Sequence, residues 1–279
     1  GLALWRMANE RDVVIPVFAE MGTVNPVVVT PAAVATLDRL ATGFVESFTR
    51  GTGQYCTKPG LLFAPAGSGM AAVVAKELRR LAPSAWLLTS QIADAAVDGV
   101  GELVSAGGTV AGQVAGPDAG WAAPATVLSV PIEKLTNGSR LLEECFGPVA
   151  VVTEYTDRAE LEAALGGLQG TLAAAVMTGG ADHDDPDVPW LVERLTKLAG
   201  RVAVDEWPTG VAVTWAQHHG GPWPATTVPS STSVGAAALT RFTRPVAYQN
   251  VPDAALPPAL REANPWRLPR RVDGVVTRP

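Results

Sequence analysis

Val149-Ala150-Val151-Val152-Thr153-Glu154-Tyr155 is an apolar, β-branched run, and a second such run follows at Leu172-Ala173-Ala174-Ala175-Val176-Met177-Thr178. Between them, residues 157–168 carry apolar side chains at helical spacing behind Asp157, a good capping residue. A further helical pattern over 188–199 leads to a third apolar run at 202–205. Buried strands alternating with amphipathic helices predict an α/β fold with a largely parallel sheet, because a parallel strand pair needs a crossover that a helix supplies.

Working outward, the same alternation fills most of the chain. Residues 2–10 read as a short helix and 13–19 as a buried strand bounded by Gly22. Thr30-Pro31 is a helix start, after which Val34, Leu37, Ala41, Phe44, Val45 and Phe48 form an apolar stripe ending near Arg50. Strands are expected at 61–64, 110–114 and 126–131, with helices capped by Ser68 and Ser90. The end of the chain differs. Residues 218–233 form a loop rich in Gly, Pro, Ser and Thr, 234–243 a helix and 245–251 a strand, and the proline-punctuated tail 252–279 is expected to lie extended over a surface.

The 279 residues contain 21 Lys and Arg against 27 Asp and Glu, a formal net charge of -6, which argues against nucleic-acid binding. With 47% hydrophobic and 17% charged residues the chain is globular rather than disordered. No apolar run approaches the roughly 18 residues of a membrane span. The first residue is Gly1 and no signal peptide follows it, so the expectation is that the beginning has been cut away. Two cysteines, Cys56 and Cys145, make no disulfide framework and point to a reducing, cytoplasmic setting. The three histidines, His183, His218 and His219, lack metal-site spacing, so no metal is expected.

Three features carry candidate chemistry. Cys56 stands in the loop Gly53-Gln54-Tyr55-Cys56-Thr57-Lys58-Pro59-Gly60, with Lys58 a possible source of a field that favours a thiolate. Glu20 ends the apolar run 13–19, and the carboxyl end of a parallel strand is a common place for a site. Glu143-Glu144-Cys145-Phe146-Gly147-Pro148 precedes the strand at 149–155. Gly51-Thr52-Gly53 and Gly67-Ser68-Gly69 are too short to be dinucleotide fingerprints. His218 or His219 could serve Cys56 as a base, as in a cysteine hydrolase, but nothing local pairs them.

Phe18-Ala19-Glu20-Met21-Gly22, Asn25-Pro26, Gly53-Gln54-Tyr55-Cys56-Thr57 and Glu144-Cys145-Phe146-Gly147-Pro148, taken in order, resemble the aldehyde dehydrogenase superfamily read from its middle onwards. The segments His219-Gly220-Gly221-Pro222-Trp223-Pro224-Ala225-Thr226, Thr232-Ser233-Val234-Gly235 and Arg244-Pro245-Val246-Ala247-Tyr248-Gln249-Asn250 resemble its 2,5-dioxopentanoate (α-ketoglutarate semialdehyde) branch. The resemblance implies Cys56 as nucleophile and Glu20 as general base. It implies Glu144, Phe146 and Met21 beside NADP or NAD, and Tyr55 and Thr57 beside the aldehyde substrate. The reaction implied is oxidation of an aldehyde to an acid through a thiohemiacetal and a thioester on Cys56.

The resemblance also implies that the half of the family holding most of the cofactor-binding fold is absent, so that the chain by itself is inactive. Residues 1–22 would then be the remnant of a cofactor-binding domain and 23–243 the catalytic domain. Residues 244–279 would hold a strand that pairs with a partner subunit in a homo-oligomer, and a tail. Two departures bear on the substrate: Asp205-Glu206-Trp207-Pro208 places an acidic pair near the expected substrate mouth, and Pro229-Ser230-Ser231 lacks an arginine. An acidic pair repels a carboxylate, which makes an uncharged or fatty aldehyde the rival substrate. An assembly module without catalysis and a cysteine hydrolase are the rival functions.

Overall fold

The computed structural model describes residues 1–180 and 184–278, so His183 lies outside the described residues. A short helix α1 (Leu2–Asn9) precedes a seven-stranded sheet built from β1 (Pro26–Val29), β2 (Leu61–Pro65), β3 (Thr109–Val114), β4 (Ala125–Ser129), β5 (Val149–Tyr155), β6 (Thr171–Met177) and β7 (Ala199–Val204). Their order is β3-β4-β5-β2-β1-β6-β7, and all neighbours are parallel except the edge pair β3 and β4. The expected α/β class with a largely parallel sheet is what the chain adopts.

The central strands are buried on both sides, so alternate side chains feed two cores. Val27, Val29, Leu62, Ala64, Ala150 and Val152 face α2 (Leu37–Thr49) and α3 (Met70–Leu81). Val28, Leu61, Phe63, Val149 and Val151 face α4 (Ser90–Ser105), α5 (Arg158–Gly166) and α6 (Val188–Thr196). Phe44 and Phe48 on α2 are fully buried, and each such side chain stabilises the fold by about 1.5–3 kcal/mol relative to exposure.

Several local expectations give way to tertiary partners. Residues 13–19 form no strand: Val13 is 74% exposed, no neighbouring strand pairs with it, and Pro16 lacks a donor. Only the end of this segment is tied down, through Met21 N–H to the Ala225 carbonyl (2.8 Å), Thr227 N–H to the Ala19 carbonyl (3.1 Å) and a bridge between Glu20 and Thr226. The missed strand is β1, four residues long and hidden against the helix signal at Thr30-Pro31. Thr30 does not cap with its side chain but donates to Asp185 Oδ2 (2.5 Å), and a 3-10 turn, Pro31–Thr36, leads into α2. Ser68 does not cap α3. Glu154 does so instead, accepting from Gly67 N–H, Ser68 Oγ and Met70 N–H, a carboxylate in the place that the helix dipole favours. Thr89 rather than Ser90 caps α4, its Oγ1 accepting from Ile92 N–H (3.2 Å).

The chain divides into two compact units, Gly1–Arg241 and Phe242–Pro279. The helix expected at 234–243 is a 3-10 helix, Ala236–Phe242, with no buried residue. The strand expected at 245–251 is not formed: Val246 and Tyr248 are 53% and 47% exposed, and among the described residues these positions belong to no strand. Within the second unit the tail is not simply extended. A hairpin joins β8 (Arg270–Val272) to β9 (Val275–Thr277) through Asp273-Gly274, both at positive φ, the conformation a two-residue hairpin turn requires.

Candidate active site

The parallel strands point their amino ends at one place, and the segments running into them converge there: 20–25 before β1, 53–60 before β2 and 144–148 before β5. Glu20 therefore reaches the site ahead of a strand, not at a strand's carboxyl end as expected. The segment 219–226 crosses the starts of β6 and β7, with Gly221 against the Thr171 carbonyl and Gly220 against Gly200.

Left-handed backbone at Gly51, Thr52 and Gly53 (φ 55°, 57° and 68°) turns the chain sharply before Cys56. A Cβ on Gly53 would sit 2.0 Å from the Gly147 carbonyl oxygen, so only glycine lets this loop press against the turn that follows Phe146. Asn25, fully buried, holds the loop from beneath: its Nδ2 donates to the carbonyls of Cys56 (2.9 Å) and Lys58 (3.0 Å), while its Oδ1 accepts from Ala173 N–H (3.0 Å) and two threonine hydroxyls. Lys58 does not face the thiol as a source of field. It is 1% exposed, and its Nζ donates to the carbonyls of Cys145 and Val149, both at 2.8 Å. Burial pushes its ammonium down and the charge of Glu144 opposes that.

Above the loop, Cys56 Sγ lies 3.5 Å from His219 Nε2, and the same nitrogen lies 3.3 Å from Glu20 Oε2. Arg241 Nη2 donates to Glu20 Oε1 at 3.1 Å and its Nε to Ser231 Oγ at 2.7 Å, fixing the carboxylate. Thr232 Oγ1 accepts from His219 N–H (2.8 Å), which sets the ring's backbone. Burial pushes the Cys56 thiol up, and Glu20 adds to this, while the N–H groups of Cys56 and Thr57 pull it down. Burial pushes the His219 imidazole down and Glu20 works the other way.

Glu144 and Phe146 lie on the wall of a cleft of about 500 Å³, with Gln91, Asp98 and Arg140. The Glu144 carboxylate rests on Gly22, where a Cβ would stand 2.0 Å from Oε2, and its Oε1 is buried without a partner. Burial pushes this carboxyl up and Lys58 pulls it down. Met21 lies against Gly1. Tyr55 is 42% exposed beside Cys56, and buried Thr57 uses its Oγ1 to accept from Gly210 N–H (3.2 Å). Asp205 is not at a substrate mouth: its carboxylate, held below its usual range, accepts from Thr178, Gly179 and Gly180 beyond the carboxyl end of β6. Among the described residues no group of three His, Cys, Asp or Glu side chains is placed to hold a metal.

The family model described as "Aldehyde dehydrogenase family" matches residues 5–221. The chain belongs to the aldehyde dehydrogenase family. An α-ketoglutaric semialdehyde dehydrogenase 2 of Azospirillum brasilense is 42% identical over 281 aligned positions, covering 98% of this chain and 53% of that protein. An α-ketoglutaric semialdehyde dehydrogenase of Acinetobacter baylyi is 37% identical, covering 99% of this chain and 53% of that protein. The chain thus spans about half the length of the curated relatives it matches. Among solved structures, an aldehyde dehydrogenase from Bacillus cereus in complex with NAD+ shares the fold with a TM-score of 0.70 at 19% identity, over 88% of this chain and 48% of that one. A bifunctional proline utilization A protein does so with a TM-score of 0.70 at 22% identity, over 86% of this chain and 24% of that one.

Sequence reading singled out Cys56 and Glu20, which the fold brings together, and weighed His219 only as part of a hydrolase. It missed Asn25 as the support of the loop and Arg241 as the partner of Glu20. His219 and Arg241 lie far along the chain from Cys56, and no local pattern signals such contacts; the glycine and proline around His219 are the one cue to a tight loop.

Proposed function

We propose that the protein carrying this chain oxidises an aldehyde to a carboxylic acid with NAD(P), acting on 2,5-dioxopentanoate or a related semialdehyde. The observation that carries this reading is the row Cys56, His219, Glu20, Arg241, in which a thiol, an imidazole, an anchored carboxylate and a guanidinium follow one another at 3.5, 3.3 and 3.1 Å. His219 Nε2 takes the thiol proton, and the sulfur adds to the aldehyde carbon to give a thiohemiacetal. The N–H groups of Cys56 and Thr57 are positioned at the sulfur and stabilise the oxyanion formed beside it. A nicotinamide cofactor, when bound beside Glu144 and Phe146, would supply the hydride acceptor for that carbon, and Cys56 would hold the acyl group as a thioester. Glu20, as general base, draws the proton from the water that hydrolyses the thioester, and the thiol is restored. The buried, unpartnered Glu144 Oε1 suits a ribose hydroxyl donor, and Phe146 and Met21 are read as the apolar side of the same site.

Residues 1–22 are read as the last part of a cofactor-binding domain, 23–243 as the catalytic domain, and 244–279 as the part that pairs with a partner subunit and the tail. The exposed run at Val246 and Tyr248 supports pairing with a second copy. Two free thiols, Cys56 and Cys145, fit a reducing cytoplasmic setting. A second reading, a cysteine hydrolase, draws on the same Cys56–His219–Glu20 row. It expects ester turnover without nicotinamide and no aldehyde oxidation with it, and that pair of assays separates the two.

The electrostatics give a direct test. Because burial and Glu20 both push the Cys56 thiol up, its alkylation by iodoacetamide rises only as the pH passes the ordinary thiol range. Glu20→Gln removes the larger of the two charges that raise the thiol, Glu20 and Glu144, so the midpoint of the alkylation rate against pH is expected to move down. A midpoint that stays or rises would exclude the Glu20 charge as a neighbour of the thiol.

A further inference from the structure

The acidic pair at Asp205-Glu206 and the missing arginine near Ser230 argue against a carboxylate-bearing substrate as long as only the sequence is considered. The fold changes both terms. Asp205 is consumed by the turn after β6, and an arginine stands on β7 instead. Arg201 lies near the amino end of that strand, opposite Ala173, whose N–H is bonded to Asn25, the support of the Cys56 loop. By strand alternation it shares the face of Ala203, on the α2 side of the sheet. Its Nη2 donates to the carbonyls of Pro208 and Gly210, and Gly210 N–H in turn reaches Thr57 Oγ1, one residue from the nucleophile.

A guanidinium offers five donors in a rigid plane; among the described residues Nη2 is the engaged one, and Nε is buried without a partner. An unpaired buried donor is costly to keep, so this group calls for an acceptor that the chain itself does not supply. We infer that Arg201 is the residue that receives the carboxylate of an aldehyde substrate bearing one, with its carbonyl carbon directed to Cys56, and that this inference rests on the dehydrogenase reading above. Glu206, the remaining acid of the pair, competes with the substrate for the same guanidinium. The charges of Glu206 and Cys56 both support the Arg201 cation against burial. The guanidinium keeps its charge at every working pH, which is what a substrate carboxylate needs from a half-buried partner.

The test compares an ω-carboxylate aldehyde, 2,5-dioxopentanoate, with pentanal, each assayed by NAD(P)H formation in the protein expressed from its complete coding region. Arg201→Met is expected to raise KM for the carboxylate aldehyde by about 100-fold or more, with kcat/KM for pentanal changed by less than about threefold. Arg201→Lys is expected to recover part of the loss, because it restores the charge. Glu206→Gln, at an exposed position that tolerates change, is expected to lower KM for the carboxylate aldehyde a few-fold and leave pentanal alone. Equal losses on both aldehydes in Arg201→Met would assign Arg201 to holding the Pro208–Gly210 loop and overturn the inference. So would a Glu206→Gln variant that treats both aldehydes as the wild type does. If the wild-type protein oxidises neither aldehyde, the dehydrogenase reading itself fails; if it oxidises pentanal and Arg201→Met discriminates nothing, only the role of Arg201 does.

Discussion

Cys56→Ala is expected to lower NAD(P)-linked aldehyde oxidation by about 10³-fold or more, because no other group in the row can form the thioester. The residue is exposed and its Sγ contacts His219 Nε2 at 3.5 Å, so the urea midpoint is expected to move by no more than about 0.5 kcal/mol equivalent. Cys56→Ser should behave alike, since a hydroxyl in this place is far from ionising beside Glu20. An assembly module without catalysis expects the opposite: no measurable activity in the wild type for the substitution to remove. Loss of activity together with unfolding would point to a structural role. Activity measured beside denaturation of the same preparation tells these outcomes apart.

The second large effect is on stability. Lys58→Met removes a donor from two buried carbonyls, those of Cys145 and Val149, and each acceptor left orphaned costs about 1–3 kcal/mol. Relief of the cost of burying an ammonium offsets part of this. A net loss of about 2–4 kcal/mol is expected, read as a lower urea midpoint at unchanged slope. The same ammonium lowers the Glu144 carboxyl, so its loss is expected to weaken cofactor binding as well. A stability unchanged within about 0.5 kcal/mol would mean that the carbonyls find water instead.

What the sequence makes legible is what a local pattern can encode. The run at 149–155 needs no partner to be read, because six apolar or β-branched residues out of seven, bounded by Gly147-Pro148 and Asp157, fit a buried strand, and β5 spans 149–155. Residues 13–19 have the same texture and fail, since a strand exists only against a neighbour and here none is at hand. β1 goes unread for the reverse reason: four residues between Asn25 and a helix signal look like a linker, yet they lie between β2 and β6 at the centre of the sheet. Capping shows the limit on a smaller scale. Ser68 sits where a cap belongs, but Glu154 on a neighbouring strand offers a charge to the same N–H groups and takes them.

For the site, residue types and order were enough to single out Cys56 and Glu20, since both belong to motifs on the chain. Direction was not legible. Lys58, two residues from the thiol, turns into the protein, whereas His219 comes from 163 residues away to face it. Arg201 escaped notice because it stands just ahead of the run read as a strand at 202–205, and only the packing of 208–210 over it shows which way it is held.

The most direct measurement is intact-protein and peptide mass spectrometry of Glu20→Gln after mixing with 2,5-dioxopentanoate and NADP+ or NAD+. With the base removed, thioester hydrolysis slows and the acyl group should accumulate. The expected result is a mass increase of one acyl group, located on the peptide that contains Cys56 and formed only when the nicotinamide cofactor is present. An adduct on Cys145, an adduct that forms equally without cofactor, or no adduct in a protein that still oxidises the aldehyde would contradict Cys56 as the nucleophile of a dehydrogenase.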